Sequence, residues 1–125
     1  MGLTYDAGAL VAAERNDRRM WALHRRTLQR KERPTVPAAA LAQVWRTGRQ
    51  ANLARLLAGC RVEALDDVRA RTAGAACGRA GTDDPIDASV VVGALGRGDA
   101  VLTSDPEDLR RVTQALGRRI AIHVV

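Results

Sequence analysis

The chain has 125 residues, 46% of them hydrophobic, and a formal net charge of +6 at pH 7. This length suits one domain and is too short for two ordinary ones, so we expect a single domain over residues 1–125. There is no apolar run of membrane-spanning length and no signal-peptide pattern at the N-terminus. The two cysteines, Cys60 and Cys77, lack the spacing of metal ligands. We therefore expect a cytoplasmic protein with reduced thiols and no membrane association.

The positive charge is almost entirely arginine, because Lys31 is the only lysine. An excess of positive charge raises the local concentration of polyanions such as nucleic acid. A composition rich in arginine and alanine can equally arise from coding bias. Charge alone therefore does not separate a nucleic-acid-binding protein from other functional classes.

The hydrophobic pattern predicts strands that alternate with helices along the whole chain. In chain order we expect a strand at 3–5, helices at 7–14 and 18–30, a strand at 35–36, helices at 38–45 and 50–57, a strand at 61–65, helices at 66–79 and 85–95, a strand at 100–103, a helix at 105–116 and a strand at 119–125. Such alternation favours a parallel sheet covered by helices on both faces, which is an α/β fold.

Four aspartates fall where such a sheet would place its ligand site. Asp6 follows the first predicted strand, Asp105 follows the strand at 100–103, and Asp84 and Asp87 begin the helix before that strand. In a parallel α/β sheet, strand C-termini and the helix N-termini after them share one edge, where ligands bind. We expect Asp6 and Asp105 to approach each other there, with Asp84 and Asp87 on one face of a helix start.

Each of these acids also has a purely structural interpretation. Asp84 and Asp105 each precede a proline, as an N-cap precedes proline at the first helical position. Asp87 and Asp108 then stand at the third helical position, as in a capping box. Taken singly, these aspartates are more typical of caps than of ligands. Asp6 differs, because it interrupts an apolar stretch and should be partly buried.

A cluster of these carboxylates would need a compensating charge. Two carboxylates within about 5 Å repel by roughly 3 kcal/mol at an effective dielectric constant of 20. Protons or a cation must offset that repulsion. A hard divalent cation such as Mg²⁺ or Mn²⁺ prefers oxygen ligands, and it can activate water and stabilise charge on a phosphoryl group. The acids therefore favour metal-assisted phosphodiester hydrolysis.

Four segments, in the right order and at the right intervals, resemble the motifs of PIN-domain nucleases, most closely VapC-type toxins of bacterial toxin–antitoxin pairs. They are LTYDAGAL at 3–10, VPAAALAQVWR at 36–46, DPIDA at 84–88 and VLTSD at 101–105. The resemblance implies a three-layer α/β/α domain around a mostly parallel sheet. It also implies a ribonuclease that acts with Mg²⁺ or Mn²⁺, is often a homodimer and is commonly silenced by a small antitoxin.

The resemblance also assigns roles to individual residues. Asp6, Asp87 and Asp105 match the metal-binding acids of the family. Asp84 matches an additional acid that some members carry. Ser104 matches a hydroxyl position that supports the acid cluster.

Gln43 departs from the family pattern, since most members carry Glu at this point of the second motif. An amide offers a neutral oxygen and two donors, cannot accept a proton from water and removes one negative charge. Three outcomes are open: a working site that relies on Asp84, a site rescued by Glu14 from the first helix, or an impaired enzyme that acts as an RNA- or antitoxin-binding module. We favour the first.

The densest basic stretch lies at 15–33. We expect Arg15, Arg18 and Arg19, together with Arg46, to contact RNA phosphates. The alternatives are docking of an acidic partner and an ordinary solvated helix face. Aromatic residues that could stack on single-stranded bases are nearly absent, so recognition would depend on shape and phosphates.

The remaining candidates for chemistry have structural interpretations. His24 and His123 are isolated, and no Cys/His metal pattern is present. Trp21 and Trp45 lie at helical spacing and are expected in the core or at a dimer interface. Phosphate transfer as in receiver domains is a weaker alternative, because such domains normally carry a second acid two residues after the first, where this chain has Gly8.

Overall fold

The computed structural model describes residues 2–125, and these residues form five strands and seven helices. The strands are β1 (Leu3–Tyr5), β2 (Thr35–Pro37), β3 (Arg61–Glu63), β4 (Ala100–Thr103) and β5 (Ile122–Val124). The helices are α1 (Ala7–Glu14), α2 (Arg18–Gln29), α3 (Ala38–Val44), α4 (Ala51–Leu57), α5 (Asp67–Ala80), α6 (Pro85–Arg97) and α7 (Pro106–Ala115). The predicted order of elements is confirmed. Only β3 and β5 are clearly shorter than predicted, because they are edge strands that pair on one side alone.

The sheet has the order β3-β2-β1-β4-β5, and each neighbouring pair of strands is parallel. The chain moves outward from β1 to β2 and β3, then returns to the other side of β1 for β4 and β5. The strand order therefore reverses between β1 and β4. In open parallel sheets, the crevice at the C-terminal strand ends beside such a reversal is the usual ligand site.

Alternating strand side chains divide the interior into two cores. Val101 of β4 packs with α5, α6 and α7 on one face of the sheet. Tyr5 of β1 and Leu102 of β4 pack with α1, α2 and α4 on the other face. Alanines and valines supply most of the first core, which suits close packing of helices on a sheet. The three-layer α/β/α prediction is confirmed.

Short polar residues and glycines set the ends of several helices. Asp17 caps α2 by accepting a hydrogen bond from the Met20 amide at 2.9 Å. Gly81 and Gly98 end α5 and α6 with φ of 65° and 72°, a left-handed conformation that costs glycine little. Among residues 2–125, no helix combines the length and the apolar character needed to cross a membrane.

A polar network that the sequence did not indicate joins the sheet to α6. The Arg97 guanidinium forms ion pairs with Glu63 of β3 and, at 3.0 Å, with Asp99 before β4. It also donates a hydrogen bond to the Thr4 hydroxyl of β1 at 2.9 Å. A Cβ on Gly93 would lie 2.7 Å from Arg69 Nη1 and 3.2 Å from two guanidinium nitrogens of Arg97, so a larger residue there would displace these side chains. Glu63 and Asp99 therefore have structural partners and are not candidates for the functional site.

The isolated aromatic and histidine residues have different fates. His24 is buried, and its Nδ1 lies 2.9 Å from the Tyr5 hydroxyl, which agrees with the predicted structural role. Trp21 donates from Nε1 to the Ala13 carbonyl at 3.0 Å. Trp45 lies outside the core, with 37% of its surface exposed, in extended backbone just after α3 ends at Val44.

Candidate functional site

Asp6 ends β1 and begins α1, and only 7% of its surface is exposed. Its backbone amide donates to the Leu102 carbonyl of β4 at 3.2 Å, and its Oδ1 accepts from the Ala9 amide at 3.0 Å. Burial raises the pKa of Asp6, and the charge of Asp105 adds to the rise, while hydrogen bonds from Thr103 and Ala9 oppose it. Asp6 is thus a helix cap and a buried acid beside β4.

Asp105 stands at the N-cap position of α7, but its side chain makes no capping hydrogen bond. Its backbone amide instead donates to the Thr103 hydroxyl at 2.9 Å. The capping interpretation of Asp105 is therefore wrong, because the local turn is closed by Thr103. The carboxylate is exposed at the end of β4.

Asp84 is an N-cap, as its structural interpretation predicted. One oxygen, Oδ1, accepts from the amides of Ile86 at 3.0 Å and Asp87 at 3.1 Å. The Asp84 amide donates to the Thr82 hydroxyl at 3.2 Å. The reciprocal capping-box bond expected from Asp87 is absent among the described contacts, because Thr82 takes the amide that Asp87 would have accepted from.

Asp87 therefore keeps a carboxyl group that no capping bond explains. Its pKa is raised to about 7, first by burial, then by the charges of Asp84, Asp108 and Asp6. The structure thus brings the third motif against the first. It also places the charge of Asp108 near Asp87, although the local sequence predicted only a capping role for Asp108. Its position three residues after Asp105, on the same helix start, was the available signal.

Ser104 connects the fourth motif to the first. A Cβ on Gly8, in the first turn of α1, would collide with the Ser104 hydroxyl and lie 3.0 Å from the Ser104 amide nitrogen. Only glycine allows the loop after β4 to approach α1 so closely. Ser104 therefore packs against Gly8, which lies two residues after Asp6 in the chain. This position suits the predicted supporting role, which stays a prediction.

We call the five carboxylates at this sheet edge the acid edge: Asp6, Asp84, Asp87, Asp105 and Asp108. The described residues form five ion pairs, and none of these includes an acid-edge residue. No described cationic side chain therefore pairs with the cluster, although the chain carries 20 basic residues and a net charge of +6. The atoms that these side chains offer to a metal ion are all oxygens, the ligand type that Mg²⁺ and Mn²⁺ prefer.

The acid edge does not form a closed metal cage. Within residues 2–125, no group of three or more Asp, Glu, His or Cys side chains stands in metal-ligand geometry. The residues fit a hard cation in chemical type and in charge. The assignment of Asp6, Asp87 and Asp105 as metal ligands stays a prediction.

Gln43 and Glu14 do not join the acid edge through hydrogen bonds. Gln43 is exposed on α3, and its side chain makes no hydrogen bond with the described residues. The Glu14 carboxylate accepts from the Leu53 amide at 2.7 Å at the start of α4. Eight residues along α1 separate it from Asp6, which is about 12 Å of helix. Rescue of the site by Glu14 is therefore wrong.

The predicted RNA-binding arginines fall into two groups. Arg15, Arg18 and Arg19 are exposed near the start of α2. Arg19 lies 3.5 Å from the Val124 carbonyl at the end of β5, so it shares the C-terminal sheet edge with the acids. Arg46 instead donates to carbonyls at the end of α3, at 2.8 and 3.1 Å. Part of the hydrogen-bonding capacity of the Arg46 guanidinium is therefore taken by backbone carbonyls. RNA binding by all four arginines stays a prediction.

No protein-family model matches the sequence, and no curated protein sequence matches it. Solved structures do match the fold. VapBC2 from Rickettsia felis, bound to a DNA fragment from its promoter, superposes with a TM-score of 0.76 at 10% identity, over 100% of this chain and 99% of the other. FitAB bound to an IR36 DNA fragment gives 0.66 at 13% identity, over 98% and 94%.

A third structure, PAE2754 from Pyrobaculum aerophilum, gives a TM-score of 0.64 at 17% identity, over 98% of this chain and 83% of the other. Identities this low compare the folds alone. The superpositions nevertheless span nearly the whole chain in each case. The chain therefore has a VapC-like PIN fold, a five-stranded parallel sheet between two layers of helices.

Proposed function

We propose that this protein is a metal-dependent endoribonuclease whose acid edge binds Mg²⁺ or Mn²⁺. The observation that carries the proposal is electrostatic. Asp6 and Asp87 have raised pKa values, neighbouring carboxylates contribute to both rises, and no cationic side chain among the described residues pairs with the cluster. A divalent cation bound by these oxygens would offset the repulsion.

Asp6, Asp87 and Asp105 are the proposed ligands. Asp6 comes from the end of β1, Asp105 from the end of β4, and Asp87 from the first turn of α6. Asp105 has no hydrogen bond to its own helix start, so its carboxylate is available. A bound cation at this position supplies an activated water and stabilises negative charge on a phosphodiester.

Asp84 and Ser104 are positioning residues in this proposal. One oxygen of Asp84 accepts hydrogen bonds from two amides in the first turn of α6, which fixes the backbone position of Asp87. The charge of Asp84 also helps to raise the pKa of Asp87. Ser104 packs on Gly8 and holds the loop of Asp105 against the start of α1.

The exposed arginines supply the proposed RNA contacts. Arg19 lies at the same sheet edge as the acids, and Arg15 and Arg18 lie near it in the chain. Guanidinium groups bind phosphate oxygens through charge-assisted hydrogen bonds. The four arginines Arg15, Arg18, Arg19 and Arg46 would thus hold the backbone of a strand whose phosphodiester reaches the cation.

We further propose that the chain is the toxin of a toxin–antitoxin pair, acts as a homodimer and is inhibited by a small antitoxin. The support is the fold likeness to VapBC2 and FitAB, both solved with bound DNA. Co-expression with the product of an adjacent short reading frame tests this. Co-purification of the two proteins and loss of cleavage supports the pair, whereas cleavage unaffected by that product contradicts it.

The decisive test of the nuclease is cleavage of structured RNA with Mn²⁺ or Mg²⁺ by the natural protein and by Asp6→Asn. We expect cleavage by the natural protein alone. Asp67→Asn is the matched control, because Asp67 is an exposed acid paired with Arg71 on α5. If Asp6→Asn cuts as fast as the natural protein, the activity belongs to a contaminant and the proposal fails.

Gln43 favours a second candidate, a catalytically impaired protein that acts through RNA or antitoxin binding. The amide adds no charge to the acid edge and makes no hydrogen bond to it among the described residues. RNA binding without cleavage, retained in Asp6→Asn, would support this alternative over the nuclease.

A further inference from the structure

A cavity of about 650 Å³ lies between α2 and α4, and no acid-edge residue lines it. Its basic lining residues are Arg18, Arg25 and Arg55. None of these three forms an ion pair with a described carboxylate. The volume falls in the range of small-ligand sites, roughly 300–1,000 Å³.

The arrangement is built by one helix face and one residue of a second helix. Arg18, Trp21, Arg25 and Leu28 recur every three or four residues and so share one face of α2. Arg55 of α4 faces them, with its guanidinium carbon 4.3 Å from the centroid of the Trp21 ring. This cation–π contact holds Arg55 in place without using its N–H donors.

Trp21 is itself fixed, because its indole Nε1 donates to the Ala13 carbonyl at 3.0 Å. Its ring meets the His24 ring edge-on, with the centroids 5.6 Å apart. The wall of the cavity is therefore preorganised, which reduces the entropy lost when a ligand binds.

His24 supplies a buried polar group on the same cavity. It is 2% exposed, and its Nδ1 is occupied by the Tyr5 hydroxyl. Its Nε2 lies on the side of Gly59, which also lines the cavity, and has no hydrogen-bond partner among the described residues. In the tautomer in which Tyr5 donates to Nδ1, Nε2 carries the proton and offers a donor to a ligand.

We infer that this cavity binds a phosphate group on a ligand of nucleotide size. Three unpaired guanidinium groups and an unpartnered imidazole nitrogen lining one cavity match the several acceptor oxygens of a phosphate. The cavity is much larger than a phosphate ion, so the ligand carries a further group beside Trp21. The phosphate belongs either to a free nucleotide or to the end of an RNA chain. No acid-edge residue lines this site, which shares only Arg18 with the proposed RNA contacts and does not depend on cleavage.

Calorimetric titration with AMP, with EDTA present and 0.15 M salt, tests the inference. We expect saturable binding of AMP and none of adenosine. Arg25→Gln and Arg55→Gln should each raise the Kd about tenfold or more, as expected for loss of one charged hydrogen bond. Arg49→Gln is the matched control, since Arg49 is exposed and outside the cavity, and should change the Kd less than about twofold.

A second arm distinguishes the two sources of phosphate. If a trinucleotide with a 5′-phosphate binds and AMP does not, the cavity is assigned to the end of an RNA chain. If AMP binds, the cavity is assigned to a free nucleotide. Trp45→Phe leaves Trp21 as the single tryptophan, whose fluorescence should change on binding. The inference is overturned if neither AMP nor the 5′-phosphorylated trinucleotide binds, or if the same trinucleotide with a 5′-hydroxyl group binds equally well. It is also overturned if Arg49→Gln weakens binding as much as Arg25→Gln. Circular dichroism checks that each variant is folded.

Discussion

Asp6 and Asp105 end the neighbouring parallel strands β1 and β4 at the point where the strand order reverses, and the charge of Asp105 helps to raise the pKa of Asp6. The two residues are far apart in the chain, yet they act on each other electrostatically. At the start of α6, the pKa of Asp87 is also raised in part by the charge of Asp6. Three chain segments are therefore coupled electrostatically at this edge of the sheet.

Mn²⁺ should stabilise the folded protein before any RNA is added. A cation that binds only the folded state at ten times its Kd adds about 1.4 kcal/mol, which for a chain of this size raises the Tm by about 5 °C. Differential scanning fluorimetry with Mn²⁺ and with EDTA measures this. Asp105→Asn should lose most of the rise. An equal rise in Asp105→Asn would place the cation elsewhere.

The metal-free protein should lose stability as the pH rises through about 7. The folded-state pKa of Asp87 is about 7, well above the ordinary aspartate value of 3.8. Between these two pKa values the folded state therefore holds a proton that the unfolded state has lost. The contribution of Asp87 to the free energy of unfolding is complete below the unfolded-state pKa and is lost above the folded-state pKa. Asp87→Asn does not titrate there, so in EDTA it should have the higher Tm at pH 8 and lose that advantage near pH 4. A Tm difference that is constant with pH would contradict the raised pKa.

Gln43→Glu should increase activity and cation affinity if the residue faces the bound cation. The substitution adds a carboxylate that can ligate the cation or accept a proton from water. We expect a gain of at least about tenfold in single-turnover cleavage and a lower Kd for Mn²⁺. Gln114→Glu on α7 serves as a control for the added charge alone. Equal effects of both substitutions would show that the added charge alone is responsible and that Gln43 does not face the cation.

Gly8→Ala should destabilise the protein by about 1–3 kcal/mol, although alanine is otherwise the better helix former. The added Cβ meets the Ser104 side chain and its amide nitrogen. Chemical denaturation measures the loss. Ser104→Gly in the Gly8→Ala background should restore part of the stability, because it removes the side chain but leaves the backbone contact. No recovery in the double variant would mean that the clash lies elsewhere.

The sequence by itself determined the order of the elements, because helix and strand periodicity and the Asp-Pro helix starts are local features. It also placed Asp6 and Asp105 after strands that a parallel sheet brings to one edge, a consequence of chain direction alone. The bounds of β3 and β5 followed less well from the sequence, because an edge strand is limited by the single neighbour it pairs with.

Only the tertiary structure decided which polar groups pair with which. Asp84 caps its helix, whereas Asp105, with the same local sequence signal, leaves that bond unmade because Thr103 closes the turn. Glu14 binds the start of α4, and Asp108 joins the acid edge. A side chain's hydrogen-bond and charge partners come from segments distant in the chain, so local spacing does not encode them.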